Sequence, residues 1–312
     1  MRTAFLFPGQ GSQVVGMGRS LVEAFPEARA VFAAADDALG ERLSQLCFEG
    51  PAELLTLTAN TQPAILTVSA AALAAWSARA GAPTHVAGHS LGEYSALVAA
   101  RALSLADAVR AVRARGRFMQ EAVPEGQGAM AAVIGLDAAR VTKLCAELAG
   151  ADVLAPANFN SPEQTVIAGH ARAVERAMPR LKEAGAKRVL PLTVSAPFHC
   201  ALMAPVVPRL RPVLESLTVS ELRTPVVTNV EARPNADRAR VVPLLLEQVT
   251  SPVRWVESVE AMVAAGVTRV VELGPGRVLT GLVRRIAREV ELLNVEDAES
   301  LEKALAAAGG KG

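Results

Sequence analysis

Apolar and polar positions along the chain fall into short blocks of two kinds. Residues 3–7 form an apolar run that Pro8-Gly9-Gln10-Gly11-Ser12-Gln13 stops abruptly, which predicts a buried strand leading into a glycine loop. Residues 21–60 follow helical spacing, punctuated at Pro26, Gly40 and Gly50-Pro51. Thr61-Gln62-Pro63 then opens an alanine-rich helix running to residue 80, whose small side chains suit close packing against a sheet. An apolar strand at 84–87, a tight turn and a helix at 93–100 come next, followed by a helix over 105–122.

From residue 129 the rhythm changes. Strands are predicted at 129–134, 153–157, 165–168 and 188–192, with helices at 137–148 and 171–184 and a turn at Asn160-Ser161-Pro162. This β-α-β-β-α-β order is that of a ferredoxin-like unit. Pro124-Glu125-Gly126-Gln127-Gly128 reads as the linker into it, and the larger unit resumes near Ala196. Beyond it come helices at 202–217, 241–248 and 255–265, strands at 224–229 and 269–273, the turn Gly274-Pro275-Gly276 and another helix. The fold class is therefore α/β. A large α/β-hydrolase-like domain with a parallel sheet (1–124 and 196–312) carries an inserted small ferredoxin-like domain (125–195), and residues 309–312 are expected to fray.

Gly88-His89-Ser90-Leu91-Gly92 is a G-x-S-x-G run between a predicted strand and a predicted helix. So sharp a reversal forces the central residue into a strained conformation and pushes its hydroxyl outward, while the flanking glycines remove side chains that would collide. Ser90 is the candidate nucleophile, and the Leu91 N–H at the helix start can hold a developing oxyanion. The alternative is a glycine-rich connection whose serine caps the helix. The loop after the first strand fails both nucleotide motifs: Val14 stands at the third glycine of G-x-G-x-x-G, and Met17 stands where a Walker loop needs lysine. Gln10, between two glycines, is a candidate second oxyanion donor, or the residue of an ordinary strand-to-helix turn.

At about 100° per residue, Ala108, Ala111, Val112, Phe118, Met119 and Ala122 share the face of Arg115, whereas Arg110, Arg113 and Arg117 point away. A guanidinium facing a core is costly unless an anion meets it. An ion pair with a core carboxylate, a snorkelling side chain and an anionic substrate all remain open. Among the histidines, His85 lies in a strand, the side chain of His89 should diverge from the Ser90 hydroxyl, and His170 suits a helix cap. His199, in the proline-held stretch Ala196-Pro197-Phe198-His199, is the candidate general base, unless it is a lone surface histidine. No Asp or Glu stands out to orient it. Asn158 and Asn160 can face a cleft, or simply form the turn.

Lys plus Arg (32) nearly balance Asp plus Glu (31), and no like-charge block occurs. Nucleic acid and membrane are therefore not expected as main partners. With no signal segment and no apolar stretch long enough to span a bilayer, a soluble cytoplasmic protein, taken as a monomer, is expected. Cys47, Cys145 and Cys200 match no metal-ligand spacing and read as structural thiols of a reducing compartment.

Phe7-Pro8-Gly9-Gln10-Gly11-Ser12-Gln13, the Gly88 to Glu93 run, Arg115-Gly116, Gly128-Ala129-Met130, Asn158-Phe159-Asn160-Ser161-Pro162, Phe198-His199 and Glu272-Leu273-Gly274-Pro275-Gly276 occur in this order. In them the chain resembles the malonyl-CoA:acyl carrier protein transacylase family, almost end to end. The resemblance implies Ser90 as nucleophile, His199 as base held by the Gln248 backbone carbonyl, and Gln10 with Leu91 as oxyanion donors. It implies that Arg115 grips the malonyl carboxylate, with Met119, Asn158, Phe198 and Gln62 also around the substrate. Leu91 and Phe198 look like those of malonyl-selective members. The implied partners are malonyl-CoA and acyl carrier protein, with no cofactor and no metal, and the implied pathway is fatty acid synthesis. A serine thioesterase or esterase, a trans-acting polyketide acyltransferase and a silent acyl-binding module are the rival readings. Lys182, Lys187, Arg188, Arg113 and Arg117 are candidates for docking an acidic carrier.

Overall fold

The computed structural model describes residues 1–194 and 196–309. Its strands are β1 (Thr3–Phe7), β2 (His85–Gly88), β3 (Gly128–Ile134), β4 (Leu154–Ser161), β5 (Gln164–His170), β6 (Arg188–Pro191), β7 (Val226–Val227), β8 (Pro234–Asn235), β9 (Arg269–Leu273) and β10 (Glu291–Val295). They form a six-stranded sheet in the order β10-β9-β1-β2-β7-β8 and a four-stranded sheet in the order β4-β5-β3-β6. The first is parallel except where β8 returns against β7, and the second is antiparallel throughout. All strands of the second sheet come from residues 128–191.

The strand period of two divides the larger sheet's side chains between two cores. Phe5, Phe7, Val86 and Val271 enter the core built on the alanine-rich helix Thr58–Ser77. Ala4, Leu6, Ala87 and Val270 pack instead on Trp255, Val259, Leu279 and Val283 of two helices on the other face. With both faces covered, neighbouring parallel strands end together. The loops after β1, β2, β7 and β9 therefore meet along one edge, the usual place for chemistry in an open α/β sheet.

Several boundaries differ from the sequence expectation. The long helix begins at Thr58, not Thr61, because the Leu57 carbonyl already accepts from the Asn60 and Thr61 N–H groups, both at 2.8 Å. Pro63 consequently lies inside it, where the bond that the Ala59 carbonyl would accept is lost. The helix expected over 202–217 is a 3-10 turn, Ala201–Met203, and then a helix, Val206–Glu215. Pro205 interrupts it, having no N–H to continue the ladder. The strand expected over 224–229 shortens to β7, since Thr228 and Ala232 close a turn into β8. β4 runs on to Ser161 through two register shifts, so the turn expected at 160–162 falls at Pro162-Glu163 and Asn160 stays in the strand. The expected fraying of the C-terminus lies, for 310–312, outside the described residues, as does Ser195. Gly309 caps the last helix at φ 73°. No helix among the described residues is long and apolar enough to cross a membrane.

Candidate active site

The turn after β2 is built from both neighbours of Ser90. A Cβ on Gly88 would lie 2.0 Å from the Gly92 carbonyl carbon, and one on Gly92 would lie 2.0 Å from the Phe7 oxygen at the end of β1. Only glycine lets the turn pack so tightly. Ser90 itself has φ 51°, in the left-handed region that non-glycine residues rarely enter. One side chain holds the turn on both sides of the serine. Asn229, just past β7, accepts from the Ser90 N–H at 2.6 Å and donates through Nδ2 to the Gly88 carbonyl at 2.7 Å.

Ser90 Oγ lies 2.7 Å from His199 Nε2. The other ring nitrogen, Nδ1, is 3.0 Å from the Gln248 carbonyl and 3.1 Å from the Ser251 carbonyl. Two carbonyls can only accept, so the proton sits on Nδ1 and Nε2 is left to accept from the hydroxyl. His199 is buried, and that burial, reinforced by the Arg115 charge, pushes its pKa down to about 3. At neutral pH the ring is an uncharged base. The other histidines are engaged elsewhere. His89 Nε2 is 2.8 Å from Asn160 Oδ1, with its ring against Trp255. His170 stands at the N-cap of its helix as expected, but its side chain makes no cap hydrogen bond; its Nδ1 accepts instead from the Val153 N–H at 3.0 Å.

Arg115 is 1% exposed, beneath the serine. Its Nη1 donates to Gln62 Oε1 at 2.9 Å, and its Nη2 donates to Gln248 Oε1 at 2.9 Å and to Ser90 Oγ at 3.2 Å. Tyr94 offers its ring face at 5.6 Å. Among the described residues no carboxylate forms an ion pair with it, and it does not snorkel to solvent. The nearest carboxyl group is one step removed: Gln248 Nε2 donates at 2.9 Å to Glu93 Oε2, which also accepts from the Asn229 N–H at 2.9 Å. Burial pushes the Glu93 pKa up to about 7 against those hydrogen bonds. The amide of Gln62 is oriented by Met119, whose Sδ accepts from Nε2 at 3.7 Å.

The hydroxyl opens into a cavity of about 600 Å³ whose lining includes Gln10, Asn158, Phe198, Val166, Leu279 and Leu282. It lies between the strand ends of the larger sheet and one face of the smaller. Gln10 Nε2 donates to Thr58 Oγ1 at 3.1 Å, fixing that side chain. The Gln10 and Leu91 backbone N–H groups find no acceptor among the described residues. Of the residues expected at the site, Ser90, His199, Gln248, Arg115, Gln62 and Met119 form one connected network, while Gln10, Asn158 and Phe198 line the cavity. Arg113, expected as a free docking cation, is tied to Glu41 and Asn60. Sequence reasoning missed Asn229, Glu93 and Ser251. A charged residue directly after Gly92, in an otherwise apolar helix start, is the signal that points to Glu93. Asn229 and Ser251 carry no local signal.

Residues 4–304 match the family model described as an acyl transferase domain. The chain is 50% identical over 303 residues to the malonyl CoA-acyl carrier protein transacylase of Escherichia coli strain K12, covering 97% of this chain and 98% of that one. It is 48% identical over 305 residues to the protein of the same name from Bacillus subtilis strain 168, covering 97% and 96%. Among solved structures it is similar to a malonyl-transacylase in complex with its type II PKS acyl-carrier protein. That match has TM-score 0.96 and 47% identity, over 98% of this chain and 100% of the other. An acyl-carrier-protein-S-malonyltransferase from Bartonella henselae matches with TM-score 0.95 and 47% identity, over 99% and 100%.

Proposed function

The chain belongs to the acyl transferase family, and we propose that it transfers malonyl from malonyl-CoA to the phosphopantetheine thiol of acyl carrier protein through an ester on Ser90. One observation carries this reading: a single hydroxyl has a neutral imidazole at 2.7 Å on one side and a buried guanidinium at 3.2 Å on the other. The first neighbour activates the oxygen. The second lies within reach of a carboxylate on whatever acyl group that oxygen takes up. A hydrolase of neutral esters has no use for such a cation.

In the first half-reaction Ser90 Oγ attacks the thioester carbonyl as His199 Nε2 takes its proton, forming the C–O bond. The oxyanion is held by the N–H groups of Leu91 and Gln10. Collapse breaks the C–S bond, and the departing CoA sulfur receives the proton from His199. In the second half-reaction His199 takes the proton of the carrier's thiol, the sulfur attacks the malonyl ester, and Ser90 leaves with the proton returned. Throughout, the Gln248 and Ser251 carbonyls keep Nδ1 protonated and the ring aligned. Arg115 anchors the malonyl carboxylate, with Gln62, Met119, Asn158 and Phe198 around the acyl group. Serine ester chemistry of this kind calls for no cofactor.

We read the carrier as that of fatty acid synthesis and the protein as a cytoplasmic monomer, for which the three buried free thiols are suited. We read residues 125–195 as a ferredoxin-like insertion between two parts, 1–124 and 196–312, of an α/β-hydrolase-like domain. The strand order β4-β5-β3-β6 supports the first element of that reading. Incubation with malonyl-CoA alone, followed by intact mass, tests the function. A stable malonyl adduct that acyl carrier protein discharges is expected; turnover to free malonate would make the protein a hydrolase, and no change would make it a binder.

A further inference from the structure

Two main-chain groups of the Ser90 turn meet one side chain: the Ser90 N–H donates to Asn229 Oδ1 at 2.6 Å, and the Gly88 carbonyl accepts from Nδ2 at 2.7 Å. An acceptor and a donor two residues apart are what one strand offers its neighbour. β7, the neighbour of β2, ends at Val227, and the Asn229 amide makes the next pairing in its place. Which end of the amide faces which group is forced, since an N–H can only donate and a carbonyl only accept.

Asn229 is itself fixed on every side. It is fully buried, its main-chain N–H donates to Glu93 Oε2 at 2.9 Å, and its carbonyl accepts from the Arg254 N–H at 3.0 Å. It lies in the reversal from β7 to β8, closed by the Thr228 N–H on the Arg233 carbonyl at 3.2 Å and the Ala232 N–H on the Thr228 carbonyl at 2.9 Å. The far side of Ser90 is held as well, its carbonyl accepting from the Glu93 N–H and from Gln248 Nε2, both at 3.1 Å. Glu93 Oε2 accepts from Asn229 and from Gln248, so the bonds close a ring through the serine. A serine at φ 51° persists only where its surroundings hold it there.

We propose that Asn229 is a positioning residue for acylation: its amide keeps Ser90 left-handed, and so sets Oγ against His199 Nε2 and aims the Leu91 N–H at the forming oxyanion. The inference rests on Ser90 being the nucleophile of malonyl transfer. Without the amide, only the carbonyl side of Ser90 is tied, and a change of φ moves the hydroxyl and the Leu91 peptide together. The Asn229 side chain makes no bond to Arg115, Gln62 or Gln248, which hold the malonyl carboxylate site. Its loss therefore acts on the chemical step and not on binding.

The test compares wild type, Asn229→Ala and Asn229→Asp in two reactions of Ser90. One is rapid-mixing acylation by malonyl-CoA; the other is sulfonylation by phenylmethylsulfonyl fluoride, in which Oγ displaces fluoride from sulfur as His199 takes the proton. In Asn229→Ala the saturating rate of acylation should fall by roughly 10²-fold, the cost of misplacing a reacting group by about 1 Å, with the half-saturating malonyl-CoA concentration unchanged. Sulfonylation should slow in the same proportion. In Asn229→Asp the oxygen facing Ser90 is kept, and the one facing Gly88 can donate only when the carboxyl carries a proton. Burial and the adjoining Glu93 favour that proton, with Arg115 beyond Gln248 opposing it. Acylation by this variant, relative to wild type at each pH, should therefore recover as pH falls from about 8 to about 6. Should Asn229→Ala fail to fold, Asn229→Asp carries the test alone. Unchanged rates, a fall in acylation matched by lost affinity for malonyl-CoA, or no recovery in Asn229→Asp would each overturn the proposal. A wild type whose Ser90 takes the sulfonyl group but no malonyl would refute malonyl transfer and leave the positioning role standing, whereas one that takes neither would refute both.

Discussion

Gln248 accepts a hydrogen bond from Arg115 at 2.9 Å through the same side chain whose amide nitrogen donates to Glu93. Its oxygen faces the cation and its nitrogen the acid, so the amide dipole is aligned between two buried charges that never touch. The main-chain carbonyl of the same residue holds His199. Base, cation and buried acid are thereby fixed relative to one another by one residue. Gln248→Ala keeps the carbonyl and deletes the amide. Leaving Arg115 and Glu93 each short of a partner should cost about 1–3 kcal/mol of stability. The malonyl kcat/KM should fall with it, more than that for acetyl. Denaturant midpoints and the two specificity constants check this; unchanged stability would mean that water replaces the amide.

Ser90→Ala should abolish the malonyl adduct while leaving the unfolding midpoint within about 0.5 kcal/mol of wild type, since a turn hydroxyl facing a cavity contributes little packing. His199→Ala should slow acylation by about 10²-fold or more, the scale of positioned general-base catalysis. Rapid-mixing measurement of adduct formation reads both directly. Were His170→Ala the more damaging change, His199 would not be the base.

The pKa of His199 implies an unusual pH response. Folded, the ring titrates at about 3; unfolded, near the ordinary 6.5. The native state therefore binds fewer protons than the unfolded state between these values, and wild type loses stability as pH falls from 6.5 toward 3. His199→Ala has no such penalty, so the stability gap between variant and wild type should close in the variant's favour over that window. For the same reason acylation should show no loss at the ordinary imidazole pKa. A limb near pH 7 that disappears in Glu93→Gln would belong to Glu93, whose own pKa is pushed up to about 7.

What could be read in the sequence was local, and what could not was long-range. The Ser90 turn announces itself because strand, glycines and helix are consecutive. The burial of Arg115 follows from helical period alone, as its six neighbours on that face are apolar. His199 stands out as a residue, but of its partners the Gln248 carbonyl comes only with the family resemblance and the Ser251 carbonyl not at all, because backbone carbonyls leave no side-chain signature. Asn229 and Glu93 meet across 136 positions, a contact that only the order of β1, β2 and β7 creates. Boundaries slipped where a proline could either start or interrupt a helix, as at Pro63 and Pro205. The turn after β4 slipped because bulges lengthen that strand without any change of composition.

Arg115 is where selectivity for malonyl should reside. Its guanidinium is held by two neutral amide oxygens, a hydroxyl and an aromatic face, none of which neutralises it. A substrate carboxylate supplies that charge to a guanidinium that is itself buried, and truncating one partner of such a pair typically costs ~2–5 kcal/mol, or roughly 30- to several-thousand-fold. Arg115→Ala should reduce the malonyl kcat/KM by an amount in that range. Acetyl offers no carboxylate and leaves the cation unpaired, so its kcat/KM should stay level or rise in the same variant. Arg115→Lys should restore only part of the malonyl activity, because an ammonium reaches one of the two amide oxygens and presents no planar fork to the carboxylate. The measurement is the malonyl-to-acetyl ratio of kcat/KM in the three proteins. A parallel fall for both acyl groups would show that Arg115 only holds Gln62 and Gln248 in place, and selectivity would then have to come from the shape of the cavity at Met119 and Phe198.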